Sequence, residues 1–454
     1  MIDRSTKPKP KEGISFHLPD IAKFESDNGL KILYVKKKTL PIVQLNLVVE
    51  AGSKFDPENK KGISNLLAAM IDEGAGEYDA FQLSNEIEML GSLLQISSDQ
   101  DCIYVSLLSI EENFKRSFEL FSKILTSPRF DENDFLREKR KALVRILQSR
   151  DEPSYVASTV FEKMIFGESH PYSFPEFGLT ETIEKIENND LKNFYKSSII
   201  PDNSTLVVVG SIDKEKIKDQ IEKFLNEWKS QKSFSYKLTS PVNTGRKIYL
   251  IHKDEAAQSE IRIGHLSTPR NSKDYFTKYV MNMILGGQFT SRINLNLREQ
   301  KGYTYGAHSS FNYIKEAAYF CVSTSVNSGD TLNAIKEIIK ELEAIRQQIT
   351  DEELYLAKSS IIRKYPSIFE TYGYIARNLI TKVIHDLPDD YFNTYIQNIQ
   401  NISLEDTLIA AQNNIYTDDL IIVVVGNANI LRNQLAQLSS YELVELDTDG
   451  NEVN

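Results

Sequence analysis

Histidine, cysteine and tryptophan are scarce in this 454-residue chain, which has six His, two Cys and one Trp. The histidines are His17, His170, His252, His265, His308 and His385. No two stand at helical or turn spacing, so no pair can present two imidazoles to one metal from a single helix face. Cys102 and Cys321 are too few and too far apart for a disulfide framework or a thiolate metal site. Both read as buried strand residues, since free Cys packs like a small hydrophobe. No apolar run approaches the length of a membrane span. The amino terminus, MIDRSTKPKPKEG, has no hydrophobic signal region. The expected compartment is the cytoplasm if Met1 is native, or the periplasm if a leader peptide was removed. A basic excess is also missing: 53 Lys and Arg stand against 64 Asp and Glu, a formal charge of −11. That balance argues against nucleic acid as a partner.

What is present is ordinary for a chain with more than one core: 41% hydrophobic and 26% charged residues. Residues 1–22 are Lys and Pro rich and read as an extended arm. Gly29 to Gly52 contains two alternating strands, helices follow over 61–73 and 79–90, and Ser92 to Ser109 alternates as a strand or hairpin. Helical periods then run over 110–125, 131–150, 155–166 and 180–196. Ser204 to Gly210 (STLVVVG) is a continuous apolar strand, and 212–228 is helical again.

The same order then recurs. GLKIL at Gly29 returns as GRKIY at Gly245, and VVVG at Val207 returns at Val423, both at an offset of 216 residues; NDFLREKRKA at Asn133 returns as EELYLAKSSI at Glu352 at 219. A repeat this long implies two homologous domains and excludes a solenoid. The expected fold is α+β, a tandem repeat in which each domain is a mostly antiparallel sheet with helices packed on one face. The divisions are an arm at 1–22, a first domain at 23–229, a polar linker at 230–244, a second domain at 245–440 and an acidic tail at 441–454.

One stretch is denser in signals than the rest, Leu285 to Asn312 (LGGQFTSRINLNLREQKGYTYGAHSSFN). Ser291 is placed to cap a helix whose stripe carries Ile293 and Leu297, and Gly302 ends it. Alternation from Tyr303 predicts a strand beginning there. Arg298, in the last helical turn, and Tyr305, at the strand's start, are brought to one end of a sheet. Taken alone, such a pair also fits a helix-terminal Arg and a half-buried strand Tyr.

The whole pattern, from the GLKILYV strand to the second VVVG, resembles the family of pitrilysin, insulin-degrading enzyme and mitochondrial processing peptidase. In active members the first domain carries HxxEH, two His ligands on one helix face with a Glu as base, and a further Glu ligand 76 residues on. The equivalent positions here are Asn65, Ala68, Ala69 and Arg145, and a guanidinium cannot ligate zinc. Only an outer carboxylate, Glu138, matches. In contrast, the family's LRExxGxxY pattern is intact from Leu297 to Tyr305.

The resemblance therefore implies a subunit without metal in a heteromeric zinc peptidase. Arg298 and Tyr305 would bind substrate and stabilise the transition state, and zinc would sit on a homologous HxxEH partner subunit. Substrate would be a peptide or unfolded protein. The resemblance also places Gly91, Ser92, Leu93, Leu94 and Gln95 on an edge strand to which a peptide adds, a stretch that fits an ordinary paired strand equally well. His308, three residues past Tyr305, joins them as a substrate-binding candidate. The basic helix from Arg137 to Arg150 reads first as a solvated face and second as a surface for anionic substrate or partner. The alternative is a catalytically inactive structural or peptide-binding subunit of a larger complex.

Overall fold

The computed structural model describes residues 19–229, 245–254 and 256–453. Most of the arm expected at 1–22 and the whole expected linker lie outside these residues. Two six-stranded sheets organise the chain. The first contains β1 (Ile21–Glu25), β2 (Lys31–Lys36), β3 (Ile42–Val49), β4 (Leu93–Ser98), β5 (Ile103–Ile110) and β6 (Ser204–Gly210), in the order β1-β2-β6-β3-β5-β4. The second contains β7 (Lys247–His252), β8 (Gln258–Ser267), β9 (Ala307–Tyr313), β10 (Ala318–Asn327), β11 (Ile421–Gly426) and β12 (Glu442–Leu446), in the order β12-β7-β11-β8-β10-β9. Only β2–β6, β7–β11 and β7–β12 pair in parallel, so both sheets are mostly antiparallel. The residues expected to form an acidic tail instead contribute β12, because Val444 and Leu446 on one face and Leu443 on the other pack into the cores as the strand pairs with β7.

The helices that matter here are α1 (Ile63–Met70), α2 (Glu132–Asp151), α3 (Pro153–Phe166), α4 (Tyr275–Leu285), α5 (Asp351–Lys364) and α6 (Tyr372–Ile384). α1 and α2 pack together in the first half as α5 and α4 do in the second, which is the repeat seen in the sequence. The helical signal over 180–196 is broken in two, Thr180–Ile183 and Asn188–Ser198, each started by its own cap.

Helices cover one face of each sheet as expected; the opposite face is covered by a single helix from the other half. α3 places Val156, Val160 and Phe161 against Tyr249, Ile251, Val423 and Val425 of the second sheet. Reciprocally, α6 places Ile375, Ala376 and Leu379 against Leu33, Val35, Val207 and Val209 of the first. This exchange explains why STLVVVG and IIVVVG have no polar face: alternate residues enter different cores, and both are buried. Each Val, Leu or Ile so buried contributes about 1.5–3 kcal/mol relative to exposure, so the two halves hold each other together. Polar contacts fix the register of this junction. Tyr372 Oη donates toward Leu40 O (2.9 Å), the Lys315 amide donates to Asp101 Oδ2 (2.7 Å), and Tyr319 Oη donates to Glu162 Oε1 (2.7 Å).

Candidate functional site

The Arg298 and Tyr305 stretch begins where α4 stops. A Cβ on Gly286 would stand 2.3 Å from Ser309 Oγ and 2.6 Å from Ser309 N, so only glycine lets the helix end approach the sheet this closely. The Ser309 amide donates to Gly286 O at 3.0 Å across that gap. A short helical turn at Arg292–Asn294 then passes into a π-helical turn, Leu295–Gln300. Ile293 and Leu297 are fully buried, as their spacing requires. Ser291 occupies the N-cap position, but its hydroxyl caps nothing and lies buried without a partner. Gly302 ends the helix with φ +70°.

The strand expected from Tyr303 begins instead at Ala307. Side-chain hydrogen bonds replace the ladder over the intervening residues. The Gly306 amide donates to Thr304 Oγ1 (3.1 Å), Thr324 Oγ1 donates to Gly306 O (3.0 Å), and the Ala307 amide donates to Asn294 Oδ1 (3.1 Å). Tyr305 therefore sits on a tied loop, not a strand, and is 90% exposed. The Arg298 guanidinium lies 4.6 Å from the centre of the Phe289 ring and pairs with Glu299 at 3.4 Å. Among the described residues no hydrogen bond joins Arg298 to Tyr305.

His308 lies on β9 itself. Strand alternation turns it away from Ser309, onto the face shared with Arg262, which α3 covers through Ser154 and Ser158. Partial desolvation and the Arg262 charge hold its imidazole below the usual pKa. Ser309, Phe311 and Tyr313 point the other way, into a cavity of about 580 Å³ that is also lined by Asn282 and Lys364.

In the first half, the positions that the resemblance sets against zinc ligands have contacts of their own. Asn65 on α1 donates from Nδ2 to Ser98 Oγ of β4 at 3.0 Å. Ala68 is buried and Ala69 exposed. Arg145 on α2 is exposed, with its guanidinium 3.5 Å from the centre of the Phe177 ring, which stacks on Tyr155 at 6.0 Å and 6°. Glu138 is buried and accepts from Arg137 Nε (3.1 Å) and Lys141 Nζ (2.7 Å). An amide already engaged, two methyl groups and a stacked cation do not fit zinc. Among the described residues, no group of three His, Cys, Asp or Glu converges as a metal site.

Glu176 lies within electrostatic reach of Arg145. Burial pushes Glu176 up to about 7, with Asp99, Glu162 and Asp101 adding repulsion and Arg145 opposing it. Burial also pushes Glu162 up to about 7, and raises Asp99 despite the Tyr104 hydroxyl at 2.6 Å.

β4 is the edge of the first sheet, paired only with β5. Gly91 turns into it with φ +63°, Ser92 is buried against Ser117 (2.8 Å), and Leu93 and Gln95 face solvent. The Asp99 amide donates to Cys102 O, so odd-numbered residues of β4 pair inward. The N–H and C=O groups of Leu94, Ile96 and Ser98 therefore point outward along an open edge. Neither Phe177 nor Ser98 was marked by the sequence: Phe177 lies in an irregular segment and Ser98 is one serine among several.

Residues 31–169 match the family model described as Insulinase (Peptidase family M16), and residues 185–361 match that of the Peptidase M16 inactive domain. Among curated relatives, an uncharacterized zinc protease YmxG of Bacillus subtilis is 24% identical over 345 residues, covering 75% of this chain and 82% of the relative. A non-peptidase homolog YmxG of Helicobacter pylori is 23% identical over 405 residues, covering 87% and 91%. Among solved structures, a peptidase M16 inactive domain from Pseudomonas fluorescens superposes with a TM-score of 0.84 at 23% identity, covering 90% of this chain and 98% of that one.

Proposed function

The chain belongs to peptidase family M16, and from that premise we propose that it is the half of a heteromeric zinc peptidase that carries no metal. A homologous partner with HxxEH would hold the zinc and activate the attacking water. This chain's part is to present Arg298 and Tyr305 across the interface. The single observation that carries the reading is Tyr305, 90% exposed on a loop tied by Thr304, Thr324 and Asn294. A phenol this exposed on a tied loop is open to a group that arrives from outside. Facing a scissile amide, its O–H would donate to the carbonyl oxygen as negative charge develops there. Arg298, held over Phe289, would bind a neighbouring backbone carbonyl of the substrate.

A second reading, a catalytically inactive peptide-binding subunit, is favoured by the open edge of β4. An extended peptide would pair with Leu94, Ile96 and Ser98 and run past Gly91 to Gln95. The two readings differ in whether Tyr305 takes part in turnover.

Metal analysis and co-purification test the first. The isolated chain should hold far less than one zinc per chain and cleave no peptide, and pull-down from its source should recover a similar chain bearing HxxEH. One tightly held zinc per chain would contradict it.

A further inference from the structure

The position that would carry the last zinc ligand is cationic in both halves. Arg145 on α2 corresponds, at the 219-residue offset, to Lys364 on α5. The surroundings correspond as well. Asn65 on α1 bonds to Ser98 of edge strand β4, and Asn282 on α4 bonds through Nδ2 to Ser309 O (2.9 Å) of edge strand β9. In the second half Lys364, Asn282, Ser309, Phe311 and Tyr313 line one cavity, so the cation, the Asn and the edge strand face a common space.

In the first half, the guanidinium of Arg145 lies over an aromatic ring. Phe177 and Tyr155 form a stacked platform beneath its guanidinium, leaving the edge N–H donors free. No described carboxylate lies within ion-pairing distance of it. Ala68 and Ala69 are small where a carboxylate and an imidazole would otherwise stand.

We propose that Arg145 turns the vacated metal position into a carboxylate receptor, so that a peptide lying along β4 is selected for an acidic side chain or a free C-terminal carboxylate. The inference rests on the reading of β4 as a peptide-binding edge. Guanidinium meets carboxylate through two parallel N–H···O bonds, a geometry that a stacked, oriented Arg offers and a mobile one does not. Glu176 interacts electrostatically with Arg145 and with the carboxylates of Asp99, Glu162 and Asp101. Burial keeps Glu176 substantially protonated near neutrality, so it opposes an incoming carboxylate weakly and can donate to it.

Fluorescence anisotropy with labelled extended peptides on the full chain tests this. The panel is one sequence with a central Glu or Gln, each with a free or an amidated C-terminus. Wild type should bind at least one carboxylate-bearing form about tenfold more tightly than the neutral form. Comparing Glu with Gln, and acid with amide, identifies the source of the carboxylate. Arg145→Gln should abolish the preference while still binding the neutral peptide, and Arg145→Lys should retain part of it. Equal binding of all forms by wild type, or a preference that survives Arg145→Gln, overturns the proposal alone. Binding of none of the peptides overturns it together with the peptide-binding reading of β4.

Discussion

Asn65 Nδ2 stands 3.0 Å from Ser98 Oγ, tying the helix that would carry a zinc motif to the edge strand beside it. Asn282 and Ser309 repeat the tie in the second half, where Ser309 Oγ also donates to Asn282 Oδ1 at 2.7 Å. The position that a ligand would occupy has thus become part of the scaffold. Asn65→Ala removes one partly buried hydrogen bond and should lower stability by about 1 kcal/mol, read as a shift in urea midpoint. Asn282→Ala, whose amide serves a buried backbone carbonyl and a buried hydroxyl, should cost more. Equal effects would contradict this ranking.

Gly286 is the tightest approach in the Arg298 and Tyr305 region. Gly286→Ala would push a Cβ into Ser309, with 2.3 Å to Oγ and 2.6 Å to the amide nitrogen. The expected loss is roughly 1–3 kcal/mol, the usual range for overpacking. The same substitution at Gly302, where a Cβ meets no atom within 4 Å but φ is +70°, should cost only the backbone strain. Denaturant titration of both variants checks the order.

How much of this was legible in the sequence depends on where the partner atoms lie. STLVVVG and IIVVVG announced central strands because burial on both faces erases alternation. The helix exchanged between halves was legible as a helix but not as an exchange, since the stripe of Val156, Val160 and Phe161 does not say which sheet it meets. Tyr303 and Tyr305 continued the strand's alternation, yet Thr304, Thr324 and Asn294 bond the loop instead, and such side-chain bonds leave no period. The edge position of β4 was open to either reading, because an edge is defined by a strand that is absent. Which face of β9 His308 takes is set by register, since one residue along a strand reverses the face.

His265 gives the fold a pH dependence with a definite sign. It is buried, its ring bonded to Leu266 O (2.8 Å) through Nδ1 and accepting the Tyr416 amide (3.1 Å) at Nε2. Desolvation pushes its pKa down to about 4. The unfolded chain therefore binds a proton near pH 6.5 that the folded chain refuses until about pH 4. Its contribution is full above that upper value and falls away progressively toward the lower one. Glu162 and Glu176, held up at about 7 by burial, act in the opposite sense, so the contribution of His265 is read from the difference in urea midpoint between wild type and His265→Gln. His265→Gln should be less stable at pH 7.5, and the difference should narrow as pH falls toward 4.

The central claim is tested most directly by turnover of the complex formed between this chain and its HxxEH partner. Tyr305→Phe removes one O–H and nothing else from an exposed loop, so folding and assembly should be unchanged. The account predicts that kcat on a peptide substrate falls by about 10²- to 10³-fold, the usual consequence of losing one oxyanion donor. A complex carrying Tyr305→Phe that turns over at the wild-type rate would contradict it.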